Sequence, residues 1–243
     1  MARHPRLILP HVALHVRQRG NDGQDCFREE TDRLVYLSNL AHFCKQLRCS
    51  LHAYCLMTNH VHLLLTPSGE HACALLMQNI GRCYVGYFNR RYHRTGTLWE
   101  GRFRSCLVES ADYVLGCHRY IESNPVRARM VRSAAEYRWS SHAGNSGGKV
   151  DALLTPHMEY LALSEREIQR HRAYAGLFQQ VDDVAFLAAL REATEGGYPL
   201  VGDALKSRLE LTGSRVQRGK PGPRAKPLGG AQSVNAELSF TDE

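Results

Sequence analysis

Residues 59–65 read NHVHLLL, inside the run YCLMTNHVHLLLTP at 54–67. The run is too short for a membrane span and is interrupted by Thr58-Asn59, so it predicts two short strands, about 51–57 and 60–66, joined by a tight turn. Successive side chains of a strand point to opposite faces. Val61, Leu63 and Leu65 then share a face suited to a core, and His60 and His62 share the other. Two neutral imidazoles side by side offer ring nitrogens to one divalent metal. A pair of core-satisfied histidines gives the same pattern, so the motif needs partners from elsewhere in the chain.

The bulk properties narrow the setting. The chain has 243 residues, 43% hydrophobic and 23% charged, enough for one good domain and an appendage or for two small domains. No stretch approaches a membrane span, and MARHPRLILPHV lacks the apolar core of a signal peptide. A soluble cytoplasmic protein is expected. Eight cysteines are spread without any CxxC pair; several sit in apolar runs, as in AYCLM, and read as small buried hydrophobes in a reducing compartment. The net charge of +7 is uneven. Residues 1–150 hold 20 Lys+Arg against 11 Asp+Glu, and residues 151–243 hold 11 against 13. Arginine supplies nearly all the positive charge of the first part, which points to a polyanionic partner, nucleic acid first.

Along the chain, LILPHVALHVRQ (7–18) predicts a first strand and EETDRLVYLSNLAHFCKQL (29–47) an amphipathic helix. Its apolar stripe runs through Leu34, Leu37, Leu40, Ala41, Cys44 and Leu47. A second helix is expected over 71–92. TGTLWEGRFRSCLV (95–108) alternates and predicts a half-exposed strand with a basic face. SADYVLGCHRYIESN (110–124) reads as a helix stopped by Pro125, with Asn124 as the cap of the next turn and Pro125 at its first position. GNSGGK (144–149) is the best linker candidate. Beyond it, 154–212 is helical in pattern, and the tail has five basic and no acidic residues over 214–226. The order strand, helix, strand, strand, helix, strand, helix predicts an α+β domain, an antiparallel sheet with helices packed on one face.

The helix before Pro125 offers the missing half of a site. Tyr120 and Asn124 are four residues apart, on one face of a helix. A tyrosine serves as a covalent nucleophile, and an amide oxygen completes a metal's shell. Tyr113, two turns earlier, competes for the nucleophile's role.

With these residues assembled, the chain resembles the REP-associated tyrosine transposases, relatives of the single-tyrosine HUH transposases of the insertion-sequence-200 type. The resemblance rests on HVRQRGN (15–21), HVH (60–62), GTLWEGRFRS (96–105), RYIESNPVRARMV (119–131) and YRWSSH (137–142), and extends from about Pro5 to His142. It implies a ferredoxin-like HUH domain over 1–143 and a helical extension over 153–212, between and after which composition sets a linker over 144–152 and a basic disordered tail over 213–243. The family's two histidines fall on His60 and His62, its nucleophile on Tyr120 and its polar third ligand on Asn124. Where the family commonly has proline before NHVH this chain has Thr58, a departure that touches a turn residue and does not threaten the chemistry.

What the resemblance implies is metal-dependent cleavage and rejoining of single-stranded DNA at hairpins of repetitive extragenic palindromes, through a 5′-phosphotyrosine, in the service of DNA transposition. Magnesium prefers all-oxygen shells and imidazole suits softer ions, so Mg²⁺ or Mn²⁺ is the expected cofactor. Arg90, Arg91, Arg94, Arg102 and Arg104 are the candidate DNA contacts. The expected protein is a monomer or homodimer, nucleoid-associated and without a membrane. Three other readings compete. A hairpin-binding protein without turnover is disfavoured by the intact His60, His62, Tyr120 and Asn124 set. A hydrolase using activated water wants extra carboxylates, for which only Glu122, Glu109 and Glu100 lie near in sequence. A replication initiator or relaxase usually brings a larger partner domain than this chain holds.

Overall fold

The NHVH turn closes a β-hairpin. Strand β2 (Ser50–Leu56) and strand β3 (His60–Thr66) pair antiparallel, with Met57 N donating to His60 O at 2.9 Å across the turn. Strand β1 (Ala13–Arg19) lies on the other side of β3, and β4 (Arg104–Val108) completes the order β2-β3-β1-β4, every pair antiparallel. This is the computed structural model of the chain, and it describes residues 6–214 and 216–217. The basic tail expected over 213–243 lies outside the described residues from 218 onward.

Register carries the site's logic. Opposed residues of an antiparallel pair share a face, and β1 sets His15 opposite Leu64, Arg17 opposite His62 and Arg19 opposite His60. The histidine face of β3 is therefore continued by His15, Arg17 and Arg19. On the other face Leu14, Val16, Val61, Leu63 and Leu65 are all fully buried. They meet a layer made by α1 (Glu30–Gln46) and α2 (Ala72–Arg91), which pack on each other, with α1 also against β2. Helix α1 starts with a reciprocal capping box, Glu29 accepting from the backbone of Asp32 and Asp32 from that of Glu29. Its buried stripe is Tyr36, Leu40 and Cys44, whereas Leu34, expected inward, is exposed.

The antiparallel α+β sheet is as the sequence predicts, and the structure adds a second helical layer. Helix α3 (Ala111–Glu122) packs on β2 and β3, and α8 (Val184–Gly196) on β4 and β1, both over the histidine face. Between them in the chain come α4 (Asn124–Arg127), α5 (His142–Asn145), α6 (Met158–Leu161) and α7 (Glu167–Leu177), and α9 (Asp203–Leu211) follows α8. Leu190, Ala193, Val201 and Leu209 of this C-terminal part belong to the same hydrophobic core as the sheet. The stretch 144–149, expected as a linker, is packed at its start: Asn145 is buried and donates to His52 O at 3.1 Å and to Glu122 Oε1 at 2.8 Å.

Two expectations are corrected. Only 104–108 of the segment 95–108 is a strand; Gly96 and Gly101 take φ of +80° and +68°, conformations that break a ladder and that glycine adopts without strain. Trp99 instead packs in an aromatic cluster with Tyr36 and Tyr84. Helix α3 ends at Glu122 rather than running to Asn124, and Ser123, not Asn124, holds the cap position of α4, with Pro125 one residue into that turn. All eight cysteines are free and seven are buried, as their apolar settings imply. Among the described residues no helix is long and apolar enough to cross a membrane.

Candidate active site

His60 and His62 project from β3 into a cavity of about 430 Å³ that Tyr120 and Asn124 also line, with Arg127 and Arg191. The four residues singled out in the sequence thus converge. His62 is 1% and Tyr120 6% exposed, so both edge the cavity from an otherwise packed setting. The Tyr120 ring stands edge-on to His62 and to His15, its centroid 5.5 Å from each. Asn124 reaches the same cavity although the helix breaks before it.

Each histidine spends one ring nitrogen inside the protein. His60 Nδ1 lies 2.7 Å from Asn59 Oδ1, and His62 Nδ1 lies 2.9 Å from His15 Nε2. The Nε2 atoms remain for a third body. Burial first, then the charges of Arg17 and Arg19, hold the His60 imidazolium down to about 4. Burial and then the neighbouring His15, His60 and Arg17 hold His62 well below the ordinary histidine range. Both rings are therefore neutral at pH 7, the state a metal requires of imidazole. Among the described residues no three His, Cys, Asp or Glu side chains gather as a ready metal site. The donor set here is two imidazoles and an amide.

The surroundings are cationic. The Arg127 guanidinium sits 4.6 Å over the Tyr120 ring and donates to the Tyr120 carbonyl; Arg191, from α8, lies 5.9 Å from the same ring. Arg17 pairs with Glu195, and Arg104 Nε lies 3.8 Å from the other oxygen of that carboxylate. A smaller recess of about 210 Å³ adjoins through Arg17 and Glu195 and is lined by Arg19, Arg102 and Arg104. Two of the five arginines expected at DNA, Arg102 and Arg104, thus border the site. Arg90, Arg91 and Arg94 do not line either recess: Arg91 pairs with Glu29 beside Asp32, and Arg94 lies 5.6 Å over Phe88.

Of the carboxylates near in sequence, Glu100 lines the adjoining recess, whereas Glu122 and Glu109 are spent elsewhere. Glu122 is fully buried and accepts from Ser141 Oγ at 2.5 Å, Tyr174 Oη at 2.7 Å and Asn145 Nδ2 at 2.8 Å, with His142 Nδ1 3.2 Å away. Glu109 accepts from Gly202 N. Among the described residues lining the cavity the one carboxylate is Glu195, which pairs with Arg17, so no carboxylate cluster surrounds the histidines. The residues that sequence reasoning missed are His15, Arg17, Arg127, Arg191 and Thr194. The first two had a signal: HVRQR at 15–19 places His15, Arg17 and Arg19 at the same period of two as the histidine pair.

A family model described as "Transposase IS200 like" matches residues 9–124. The match covers a little under half of the chain, which over these residues is similar to the IS200-like transposases. The matched segment runs from the approach to β1 through Asn124 and so contains every residue of the histidine–tyrosine constellation. In fold, the chain is similar to the solved structure of a REP-associated tyrosine transposase bound to a REP hairpin, with a TM-score of 0.54 at 12% identity, over 65% of this chain and 92% of that one. A Deinococcus radiodurans R1 protein described as a transposase aligns over 50% of this chain and 97% of its own at 18% identity, TM-score 0.36. The tRNA(His) guanylyltransferase of Saccharomyces cerevisiae aligns over 81% and 83% at 10% identity, TM-score 0.35. Neither of these two supports an inference. No curated protein matches the chain significantly.

Proposed function

We propose that the protein is a transposase that cleaves and rejoins single-stranded DNA at REP-like hairpins, with Tyr120 as the nucleophile and a divalent metal on His60, His62 and Asn124. The observation that carries this is the convergence of these four side chains, with the Arg127 and Arg191 guanidiniums, on one cavity of a single chain. The similarity in fold to a hairpin-bound tyrosine transposase supports the choice of substrate class.

The donor set fits a metal: two imidazoles kept neutral by burial, their Nδ1 atoms engaged, and an amide oxygen. Held there, Mn²⁺ or Mg²⁺ would supply charge neutralisation at a non-bridging oxygen of the scissile phosphate. The protein's own groups do the rest. Arg17, Arg127 and Arg191 offer guanidinium forks to the phosphate. The Arg17–Glu195 pair that such a phosphate displaces is exposed, 28% and 49%, and worth at most about 1 kcal/mol, so the displacement costs little. Tyr120 Oη attacks phosphorus, the Oη–P bond forms, the P–O3′ bond breaks, and the 3′ oxygen takes up a proton. A 5′-phosphotyrosine and a free 3′-hydroxyl result. Arg127 over the ring offsets the charge that develops on the phenol oxygen as its own proton leaves. Attack by another 3′-hydroxyl reverses the step, conserving the bond energy without ATP. Tyr120 meets the histidines of its own chain, which supports cleavage in cis.

The test is incubation with a labelled hairpin oligonucleotide carrying a single-stranded flank and Mn²⁺, followed by a denaturing gel. The wild type should give a protein–DNA adduct that Tyr120→Phe and excess chelator each remove. Hairpin binding without any adduct would favour a binding module instead.

A further inference from the structure

A neutral imidazole has one bare nitrogen, and the position of its proton decides which. The site above works only if that bare atom is Nε2 in both His60 and His62. Two hydrogen-bond chains running away from the cavity determine this.

The first chain begins in the C-terminal extension. Thr194 Oγ1, on α8, lies 2.7 Å from Leu190 O, one turn earlier. A carbonyl only accepts, so the hydroxyl's single proton goes there. The same oxygen lies 2.7 Å from His15 Nδ1 and 3.3 Å from Cys106 Sγ, and must accept from both. His15 then carries its proton on Nδ1 and presents a bare Nε2, 2.9 Å from His62 Nδ1. That contact needs one proton, which His62 Nδ1 supplies, and the bare atom of His62 becomes Nε2. His15, His62 and Thr194 are all at most 2% exposed, so solvent does not substitute for any link. Reversing every proton gives up the Thr194–Leu190 bond and puts a proton on His62 Nε2, where a metal must bind.

The second chain is short. Asn59 Nδ2 donates to Gly23 O at 3.1 Å, which fixes the amide's orientation and turns Oδ1 toward His60 Nδ1 at 2.7 Å. His60 donates from Nδ1, leaving Nε2 bare.

We propose that Thr194, acting through His15, and Asn59 are positioning residues that lock His62 and His60 in the Nδ1–H tautomer and so prepare the pair for metal before any metal arrives. The C-terminal extension thereby takes part in loading the site from 179 residues beyond His15. The inference rests on the metal reading above, and outer partners of ligating histidines typically change metal affinity roughly tenfold to a hundredfold.

The test is long-range ¹H–¹⁵N correlation on metal-free protein with ¹⁵N-labelled histidine, paired with Mn²⁺ titration of each variant. In the wild type, His60 and His62 should both show the Nδ1–H pattern. Thr194→Val keeps the shape and removes the hydroxyl; it should move His62 toward the Nε2–H form and weaken Mn²⁺ binding by roughly tenfold or more. Thr194→Ser should restore both. An Nε2–H pattern at His62 in the wild type overturns the proposal even if Thr194→Val does not fold. So does a Thr194→Val protein with unchanged tautomer and Mn²⁺ affinity. Failure of the wild type to bind Mn²⁺, with both Nδ1–H tautomers in place, would instead sink the metal reading and leave the two chains standing.

Discussion

His60→Ala and His62→Ala should each abolish adduct formation on a hairpin oligonucleotide, and the double variant should be little worse than either. Both side chains serve one ion, and groups acting as a unit are not additive. Doubling of the logarithmic loss in the double variant would show that they act separately. The second tyrosine of the helix provides the matching control. Tyr113 stacks against Phe186 at 6.2 Å in a neighbouring recess that Tyr120 also borders, and it does not line the histidine cavity, whereas the Tyr120 ring abuts the histidines. Tyr113→Phe should therefore retain the adduct at close to the wild-type yield. An adduct that vanishes with Tyr113 and persists in Tyr120→Phe would reassign the nucleophile.

At the scale of elements, the question is what holds α3 against the sheet so that Tyr120 meets His62. Glu122, two residues on, is the pin. Its buried carboxylate collects donors from Ser141, from Asn145 of α5 and from Tyr174 of α7. Removing it strands those donors away from water. Glu122→Ala should destabilise the fold by roughly 3 kcal/mol, since orphaning buried partners of a charge is among the costlier single changes. Urea unfolding reads this directly, and a loss well below about 1 kcal/mol would show that the network relaxes or admits water. The element scale also explains the position of Asn124. The chain kinks at Ser123 before Pro125, yet a single irregular residue does not carry Asn124 off the cavity.

Across the whole molecule, buried neutral histidines tie β2 and α3 to the chain beyond residue 150. His52 bridges Thr155 O at 2.6 Å and Thr66 Oγ1 at 2.8 Å, and His118 lies 3.3 Å from Tyr174 Oη. Burial holds them down to about 4 and about 3. The unfolded chain binds their protons at the ordinary histidine value, near 6.5, so their contribution to stability is present above that value and is lost as pH falls through 6.5 toward the folded values. At pH 5 each histidine forfeits roughly 2 kcal/mol. Against a typical total of about 5–15 kcal/mol, two of them suffice for a clear effect. The urea midpoint should fall markedly between pH 7 and pH 5, and a flat profile would show that these rings protonate without unfolding.

The alternation of NHVHLLL determined by itself that His60 and His62 share a face and that Val61, Leu63 and Leu65 lie on the other, because the period of two is built into an extended chain. The spacing of Tyr120 from Asn124 and the family motifs were legible for the same reason, each being a local pattern; the stripe of α1 was legible only in part, Leu40 and Cys44 being buried and Leu34 and Ala41 exposed. TGTLWEGRFRSCLV shows where local pattern fails, since its alternation was genuine while Gly96 and Gly101 bent the backbone out of the ladder. What joins distant segments had no sequence signal. That Arg17 stands opposite His62 depends on a register between strands, and that Arg91 is consumed by Glu29 depends on how α2 meets the start of α1. Thr194 is an ordinary residue of an amphipathic helix until α8 docks on β1 and β4. Only the tertiary structure decided that its hydroxyl reaches His15, because a hydrogen bond is specified by distance and direction in space, and neither is written in a separation of 179 residues along the chain.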